Sequence, residues 1–387
     1  MATRPEMEGT PVAAADVPHP ATPGRDGRLD HEPAGAGPPG LEAGVEIRDE
    51  DGKEEDEALP LIVIVGPTAV GKTELSLLIA QRLPVEIISA DSTQVYRGLD
   101  IGTDKVSPDV RRRIPHHLID IRDPDEPYSV ADFQRDATAA IAAIRSRRRY
   151  PVLVGGTGFY VTALLYGYTF QEMPPDPELR QRLLREYDTL GAEAMHRRLA
   201  AIDPASARRI HPHDRKRLVR ALEIWYQTGQ RPSEIRERRA RPRFGARCFG
   251  LTDDRANVYR AIEARIDRQL ASGLVDEVKG LLAAGYSPDL PALQALGYKE
   301  IIGYLRGEYG LAEARRLLVR NTRRYAKRQW TWFRHQLDVR WFHRARYSLP
   351  AIADRIVAEV RGDGPPGDTG GGAGGDERGA EHGAGEP

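Results

Sequence analysis

A single cysteine, Cys248, in 387 residues leaves no internal disulfide and no cysteine-built zinc centre, a pattern that fits a reducing compartment. No apolar run approaches the roughly 20 residues that a membrane-crossing helix needs. The first residues lack the continuous apolar stretch of a secretory signal and hold too many acids for a transit peptide, so a cytoplasmic protein is expected. No fixed-period repeat appears, which excludes a solenoid. Lysine is scarce, seven against 50 arginines. High-GC coding accounts for arginine over lysine, but not for an excess of bases over acids.

That excess is hidden, because the formal net charge of the whole chain is zero. Residues 1–58 are rich in Pro, Gly and Ala and hold 15 acids against 5 bases; residues 363–387 hold 6 acids against 1 base. Both segments lack apolar periodicity and read as solvated tails. The remaining 59–362 carries 51 bases against 36 acids, a balance of +15 that points to a polyanionic partner, nucleic acid first.

Within that core, the apolar runs 61–65, 85–89, 117–121 and 151–156 alternate with helical patterns around 72–83 and 130–149. Such alternation predicts a parallel α/β sheet with ligands at the carboxyl ends of its strands. From 177 onward the pattern turns helical and basic. The expected order is a P-loop α/β core (59–175), a helical insertion (176–240), a continuation of the core with basic aromatic helices (241–345) and a terminal helix (346–362).

The run "LPLIVIV" leads into "GPTAVGKT", residues Gly66, Pro67, Thr68, Ala69, Val70, Gly71, Lys72 and Thr73. This is the GxxxxGK[ST] spacing of a loop whose backbone N–H groups and helix N-terminus cradle phosphate. Lys72 pairs with a phosphate, and the Thr73 hydroxyl is the expected ligand of Mg²⁺. The loop does not name its ligand, since ATP, GTP and other diphosphates offer similar oxygens. Asp91 closes the next strand, where a carboxylate can bind metal, accept a proton or cap a turn. Asp120, in "HLIDI", is the candidate for the acid that nucleotide hydrolases place on a second strand, but that signature is ambiguous. The pairs His116/His117 and His211/His213 lack clustered cysteines and read as structural.

The blocks "GPTAVGKT", "DSTQVYRGLDIGT", "HHLIDIRDP", "YSVADF", "GGTGFY", "DRKRLVRALE", "GLVDEV", "ALGYKE" and "TRRYAKRQWTWFR" occur in the order seen in tRNA dimethylallyltransferases, which the chain resembles over nearly all of 60–340. The resemblance implies transfer of a prenyl group from dimethylallyl diphosphate to N6 of adenosine 37 beside the tRNA anticodon, with diphosphate leaving. It implies Asp91 as the base, Lys72 and Thr73 on the diphosphate, Thr157 near the reacting atoms, and Mg²⁺ as cofactor. By the same resemblance, contact with the anticodon stem-loop falls on Asp91, Ser92, Thr93, Gln94, Thr157, Arg180, Lys216, Arg217, Leu218, Val219, Arg220, Gln294, Gly297, Tyr298, Lys299, Lys327, Arg328, Trp330 and Arg334. A protein of the bacterial kind is expected, since one cysteine cannot build the zinc finger of eukaryotic relatives, and a monomer is expected as well.

The residues alone also point to RNA. Between Arg320 and Arg334, Arg320, Arg323, Arg324, Lys327 and Arg328 are interleaved with Tyr325, Trp330, Trp332 and Phe333. That mixture suits phosphate contact plus base stacking. It equally suits an amphipathic helix with aromatics inward and arginines in water. Two other functions use a phosphate loop: a small-molecule kinase with Asp91 deprotonating an acceptor hydroxyl, and an RNA-binding regulator with a relic loop. A +15 core is superfluous for the first, and the intact Gly-Lys-Thr with Asp91 argues against the second.

Overall fold

The computed structural model describes residues 59–168, 176–235 and 241–363; the two acidic tails, except Asp363, lie outside it. The chain separates into two compact units, one within Phe170–Arg236 and the other formed by the residues on either side of it.

The larger unit begins β1 (Ile62–Val65), α1 (Lys72–Ala80), β2 (Val85–Ala90), α2 (Pro108–Arg113), β3 (His116–His117), α3 (Val130–Ser146), β4 (Tyr150–Gly155) and α4 (Gly158–Tyr166). The smaller unit holds α5 (Pro177–Leu190), α6 (Ala192–Ile202), α7 (Pro204–Arg209), α8 (Arg215–Thr228) and α9 (Pro232–Ile235). The larger unit resumes with β5 (Arg247–Thr252), α10 (Arg255–Ala271), α11 (Leu274–Ala283), α12 (Tyr298–Leu305), α13 (Leu311–Gln336), β6 (Arg340–His343) and α14 (Leu349–Arg361).

Six strands form one sheet in the order β3-β2-β4-β1-β5-β6, and every pairing is parallel. The fold is an α/β P-loop architecture. Its central strands are apolar throughout because both faces are covered. Alternate residues divide between the layers: Val63, Val65 and Leu153 pack with α3 and α4 through Phe133, Ile141 and Leu164. Ile62, Ile64 and Val152 pack on the other side against Leu75 and Ile79 of α1 and Ile352 and Ile356 of α14. A third core joins α10, α11, α12 and α13 to the segment Val95–Leu99.

The structure departs from the sequence reading in three places. Strands β5 and β6 fall in 241–345, expected as a continuation of the core with basic aromatic helices but with no strand marked; they extend the sheet beyond β1. The strand expected over 117–121 is only two residues long, because Leu118 and Asp120 take positive φ (62° and 56°) and turn the chain out of the ladder. Asp120 is therefore no magnesium ligand on a strand end. Its carboxylate accepts from Lys105 Nζ (2.5 Å) and pairs with Arg111. Burial works to raise its pKa, but these two cations outweigh burial and hold it below the usual carboxylate range. The histidines beside it have structural partners: His117 Nε2 meets Glu86 at 2.7 Å and His116 Nδ1 meets the Ile114 carbonyl at 2.7 Å.

In the smaller unit, Leu179 and Leu183 of α5, Met195 and Leu199 of α6, and Leu218, Val219 and Leu222 of α8 make a separate core. Leu218 and Val219, expected at the RNA, are 0% and 1% exposed and serve packing instead. Truncating a fully buried leucine removes transfer energy and leaves a cavity, so Leu218→Ala is expected to destabilise this unit by about 2–5 kcal/mol, read by denaturant unfolding followed at Trp225.

Candidate functional site

The loops that follow β1, β2 and β4 carry the site, as the parallel sheet dictates. After β1 the chain enters the phosphate loop through three left-handed residues, Gly66 (φ 145°), Ala69 (φ 64°) and Gly71 (φ 99°). A Cβ on Gly66 would strike the Leu251 carbonyl oxygen of β5, so only glycine allows this turn beside the neighbouring strand. Arg344 holds the loop from outside by donating to the Val70 carbonyl at 3.0 Å.

Lys72 folds back over the loop and donates to the Pro67 carbonyl at 2.8 Å. Burial, and then the neighbouring Arg265, push its pKa down to about 7 against the opposing pull of Asp91. An arriving anion restores full charge to this ammonium, as a phosphate-pairing lysine requires. Thr73 is exposed, and its hydroxyl makes no hydrogen bond among the described residues.

After β2, Asp91 Oδ1 accepts from the backbone N–H (2.9 Å) and the hydroxyl (2.6 Å) of Thr93. Its Oδ2 has no hydrogen bond among the described residues, leaving one oxygen for an acceptor group. After β4, the Thr157 amide donates to the Ala90 carbonyl at 3.2 Å. The Thr157 hydroxyl accepts from the Ser92 amide at 3.1 Å, tying the β2 and β4 loops together. Gln94 is spent on its own loop: it accepts from Ser89 Oγ at 2.8 Å and donates to the Thr103 carbonyl at 3.1 Å.

Three further side chains complete the arrangement, two of which, Gln329 and Arg265, the sequence did not mark. Gln329 of α13 is 5% exposed; its Oε1 accepts from the Thr68 amide at 2.8 Å and its Nε2 donates to the Gly156 carbonyl at 2.9 Å. It joins the phosphate loop to the β4 loop. Tyr325, one turn earlier, lies near the same Gly156 carbonyl; burial and then the charge of Asp91 push its hydroxyl up to about 12. Arg265 of α10 donates to the Thr68 hydroxyl at 3.1 Å and faces Asp104 at 3.5 Å. Gln329 had a signal: it falls with Ala326 and Phe333 on the buried stripe of α13, where a polar side chain needs a partner. Arg265 had none, being one of 50 arginines.

The expected RNA residues divide by exposure. Arg320, Arg324, Lys327, Arg328 and Arg334 line one exposed face of α13 and form no ion pair among the described residues. Trp330 is 39% exposed, with Arg334 stacked over its ring at 4.3 Å. Phe333 is fully buried, and Trp332 packs over Gly158 and Phe159, so neither is a stacking platform. Tyr298 is also buried, with its hydroxyl on Glu277 at 2.6 Å, and Gly297 donates its amide to Glu300; these belong to the fold, while Gln294 stays exposed and Lys299 half-buried beside Glu300. In the smaller unit Lys216 is exposed without an ion pair, whereas Arg217 faces Asp214 at 3.5 Å. Arg180 and Arg220 flank the buried Glu223 at 3.6 and 3.2 Å.

The carboxylate and histidine cluster Asp253, Asp254 and His343 is the one group of metal-ligand type among the described residues, and it includes no residue of the phosphate loop. No helix among these residues is long and apolar enough to cross a membrane.

The family model described as IPP transferase matches residues 94–336, and a second, described as isopentenyl transferase, matches 59–113. The chain belongs to the IPP transferase family. The tRNA dimethylallyltransferase of Heliobacterium modesticaldum is 54% identical over 283 residues, 73% of this chain and 88% of that protein. That of Symbiobacterium thermophilum is 53% identical over 303 residues, 78% and 94% of the two chains. Among solved structures, the full-length tRNA isopentenylpyrophosphate transferase of Bacillus halodurans is 42% identical with a TM-score of 0.59, covering 79% of this chain and 98% of that one. A eukaryotic dimethylallyltransferase described as acting on tRNA is 28% identical with a TM-score of 0.64, covering 77% of each. The isopentenyl transferase match covers the phosphate loop and Asp91, and the IPP transferase match covers Thr157 and Gln329.

Gln329→Glu keeps the acceptor for the Thr68 amide but sets a carboxylate against the Gly156 carbonyl and beside the anion cradle. Pyrophosphate binding, measured by titration calorimetry, is expected to weaken at least about tenfold, the cost of one unpaired buried polar contact.

Proposed function

We propose that this protein is a tRNA dimethylallyltransferase, which transfers the dimethylallyl group of dimethylallyl diphosphate to N6 of adenosine 37 beside the anticodon and releases diphosphate. One observation carries this reading. Gln329 joins an anion cradle to the β4 loop bearing Thr157, whose hydroxyl is tied in turn to the loop bearing Asp91, while the same helix presents a row of unpaired cations on its opposite face. A kinase of small metabolites has no use for that row.

An adenine amino group is a weak nucleophile, because its lone pair is delocalised into the ring. The reaction therefore needs a stabilised leaving group and a base. The loop amides, Lys72 and Arg265 bind the diphosphate and offset the charge that grows on it as the C–O bond breaks. The free Oδ2 of Asp91 accepts the N6 proton as the new N–C bond forms, with Thr93 fixing the carboxylate and Thr157 holding the Ser92 backbone beside it. Magnesium fits the donor set: the unpartnered Thr73 hydroxyl at the first turn of α1 suits an ion that keeps waters and takes further oxygens from the diphosphate. Bound there, it would add Lewis-acid stabilisation of the leaving group. The target adenine sits in a loop and must be unstacked to reach Asp91, a cost that the cationic face and Trp330 offset by holding the flanking strand. A tRNA substrate makes the cytoplasm the place of action.

Asp91→Asn retains size and hydrogen bonding but cannot take a proton. Single-turnover transfer of labelled dimethylallyl to unmodified tRNA is expected to fall about 10²–10⁴-fold, the usual cost of losing a general base, while both substrates bind within a few-fold of wild type. Normal transfer at saturation would remove Asp91 from the chemistry; label entering tRNA from ATP instead would remove the prenyl reading.

Lys327→Ala and Arg328→Ala each remove a cation with no acidic partner. Each should lower the slope of log K against log salt for tRNA by about one unit. Arg220→Ala, whose guanidinium already serves Glu223, should change the slope less than either.

A further inference from the structure

Motifs "GLVDEV" and "ALGYKE" contribute no side chain to the cradle or to Asp91, yet they converge on a single carboxylate. Glu277, in the first turn of α11, accepts four hydrogen bonds. Its Oε2 takes the amides of Asp100 (3.1 Å) and Ile101 (2.7 Å); its Oε1 takes the Gly102 amide (3.2 Å) and the Tyr298 hydroxyl (2.6 Å). From the other side, Gln269 of α10, 7% exposed, donates to the carbonyls of Ile101 (2.8 Å) and Gly102 (3.0 Å). The Tyr298 side chain packs against Gly102, where a Cβ would come within 2.6 Å of its ring. The peptide units 100–102 are thus gripped on their donors and their acceptors at once.

Both halves of the site hang from this segment. Two residues beyond it, Asp104 faces Arg265, whose other partner is Thr68 in the phosphate loop. One residue beyond it, the Thr103 carbonyl receives Gln94, which belongs to the same turn as Asp91. The Thr103 hydroxyl closes the segment by donating to the Leu99 carbonyl at 2.5 Å.

We propose that Glu277 is a positioning residue that sets the separation between the donor-side cation Arg265 and the acceptor-side base Asp91, acting through residues 100–104. The proposal rests on the prenyl-transfer reading for its rate effect and on the phosphate loop alone for its binding effect. A carboxylate matches four donors with four lone-pair sites. An amide at 277 would turn its NH₂ toward N–H groups and repel part of the segment. A misplacement on the order of 1 Å between reacting groups costs about 10²-fold in rate.

The experiment compares Glu277→Gln and Tyr298→Phe with wild type in three measurements: pyrophosphate affinity, tRNA affinity, and the pre-steady-state burst of transfer with saturating substrates in excess, whose rate gives the first turnover and whose amplitude counts active sites. The expected result for Glu277→Gln is pyrophosphate binding about tenfold weaker, tRNA binding within about threefold, and transfer per active site slower by about 10–100-fold. Tyr298→Phe, which removes one donor and keeps the ring, should shift the same quantities in the same direction by about threefold. A fold anchor without positioning would lower the melting temperature and the burst amplitude, with wild-type pyrophosphate affinity and wild-type rate per remaining site; that outcome overturns the proposal. Failure of wild type to transfer label would sink the prenyl reading, and the pyrophosphate measurement would still decide whether Glu277 governs Arg265.

Discussion

The site depends on a buried amide. Gln329 is placed among apolar neighbours of α13, where an unsatisfied polar side chain is costly, and both its ends are satisfied only by the backbone of two different strand loops. The helix therefore has one seat against the sheet, with Gln329 between Thr68 and Gly156. Once seated, the 3.6-residue period decides everything else on α13: Tyr325 comes to the Gly156 carbonyl, Phe333 enters the core, and Lys327 and Arg328 face outward. Chemistry and the cationic face are coupled by helix geometry.

The parallel sheet makes that coupling possible by delivering the ends of β1, β2 and β4 to one edge. This much was legible in the sequence. Runs such as "LIVIV" are apolar at every position because both faces are covered, and the phosphate loop announces itself by glycines that tolerate positive φ. Strands β5 and β6 were not legible, for a physical reason. "RCFGLT" and "RWFH" are short, mix polar with apolar residues, and sit nearer the sheet's edge, where burial on two faces is not imposed along the whole strand. Their strand character comes from pairing with β1 and with each other.

The candidate site was legible where a role belongs to one residue and blurred where a motif was read as a block. "KRLVR" is one turn and a half of helix, so its five side chains point in every direction; Lys216, Arg217 and Arg220 emerge while Leu218 and Val219 are buried. "QALGYK" fails as a block in the same way, with Tyr298 turned inward to Glu277. A run of recognisable residues marks a region under several constraints at once, and only geometry sorts packing from contact.

Charge shows the same distinction. The +15 balance of residues 59–362 is a count, but a cation contributes to phosphate binding in proportion to the counterions it releases, and one already paired with a carboxylate releases fewer. Arg315 on Asp267, Arg316 on Glu313 and Arg323 on Glu263 hold α13 to its neighbours or to itself. The exposed face beginning at Arg320 carries cations without such partners, and Trp330 lies among them under Arg334. The cations free to release counterions are therefore fewer than the arginine content suggests, and about five of them lie together on one face of α13. That row and Gln329 belong to one continuous helix, so the cationic face is fixed relative to the loops that Gln329 joins.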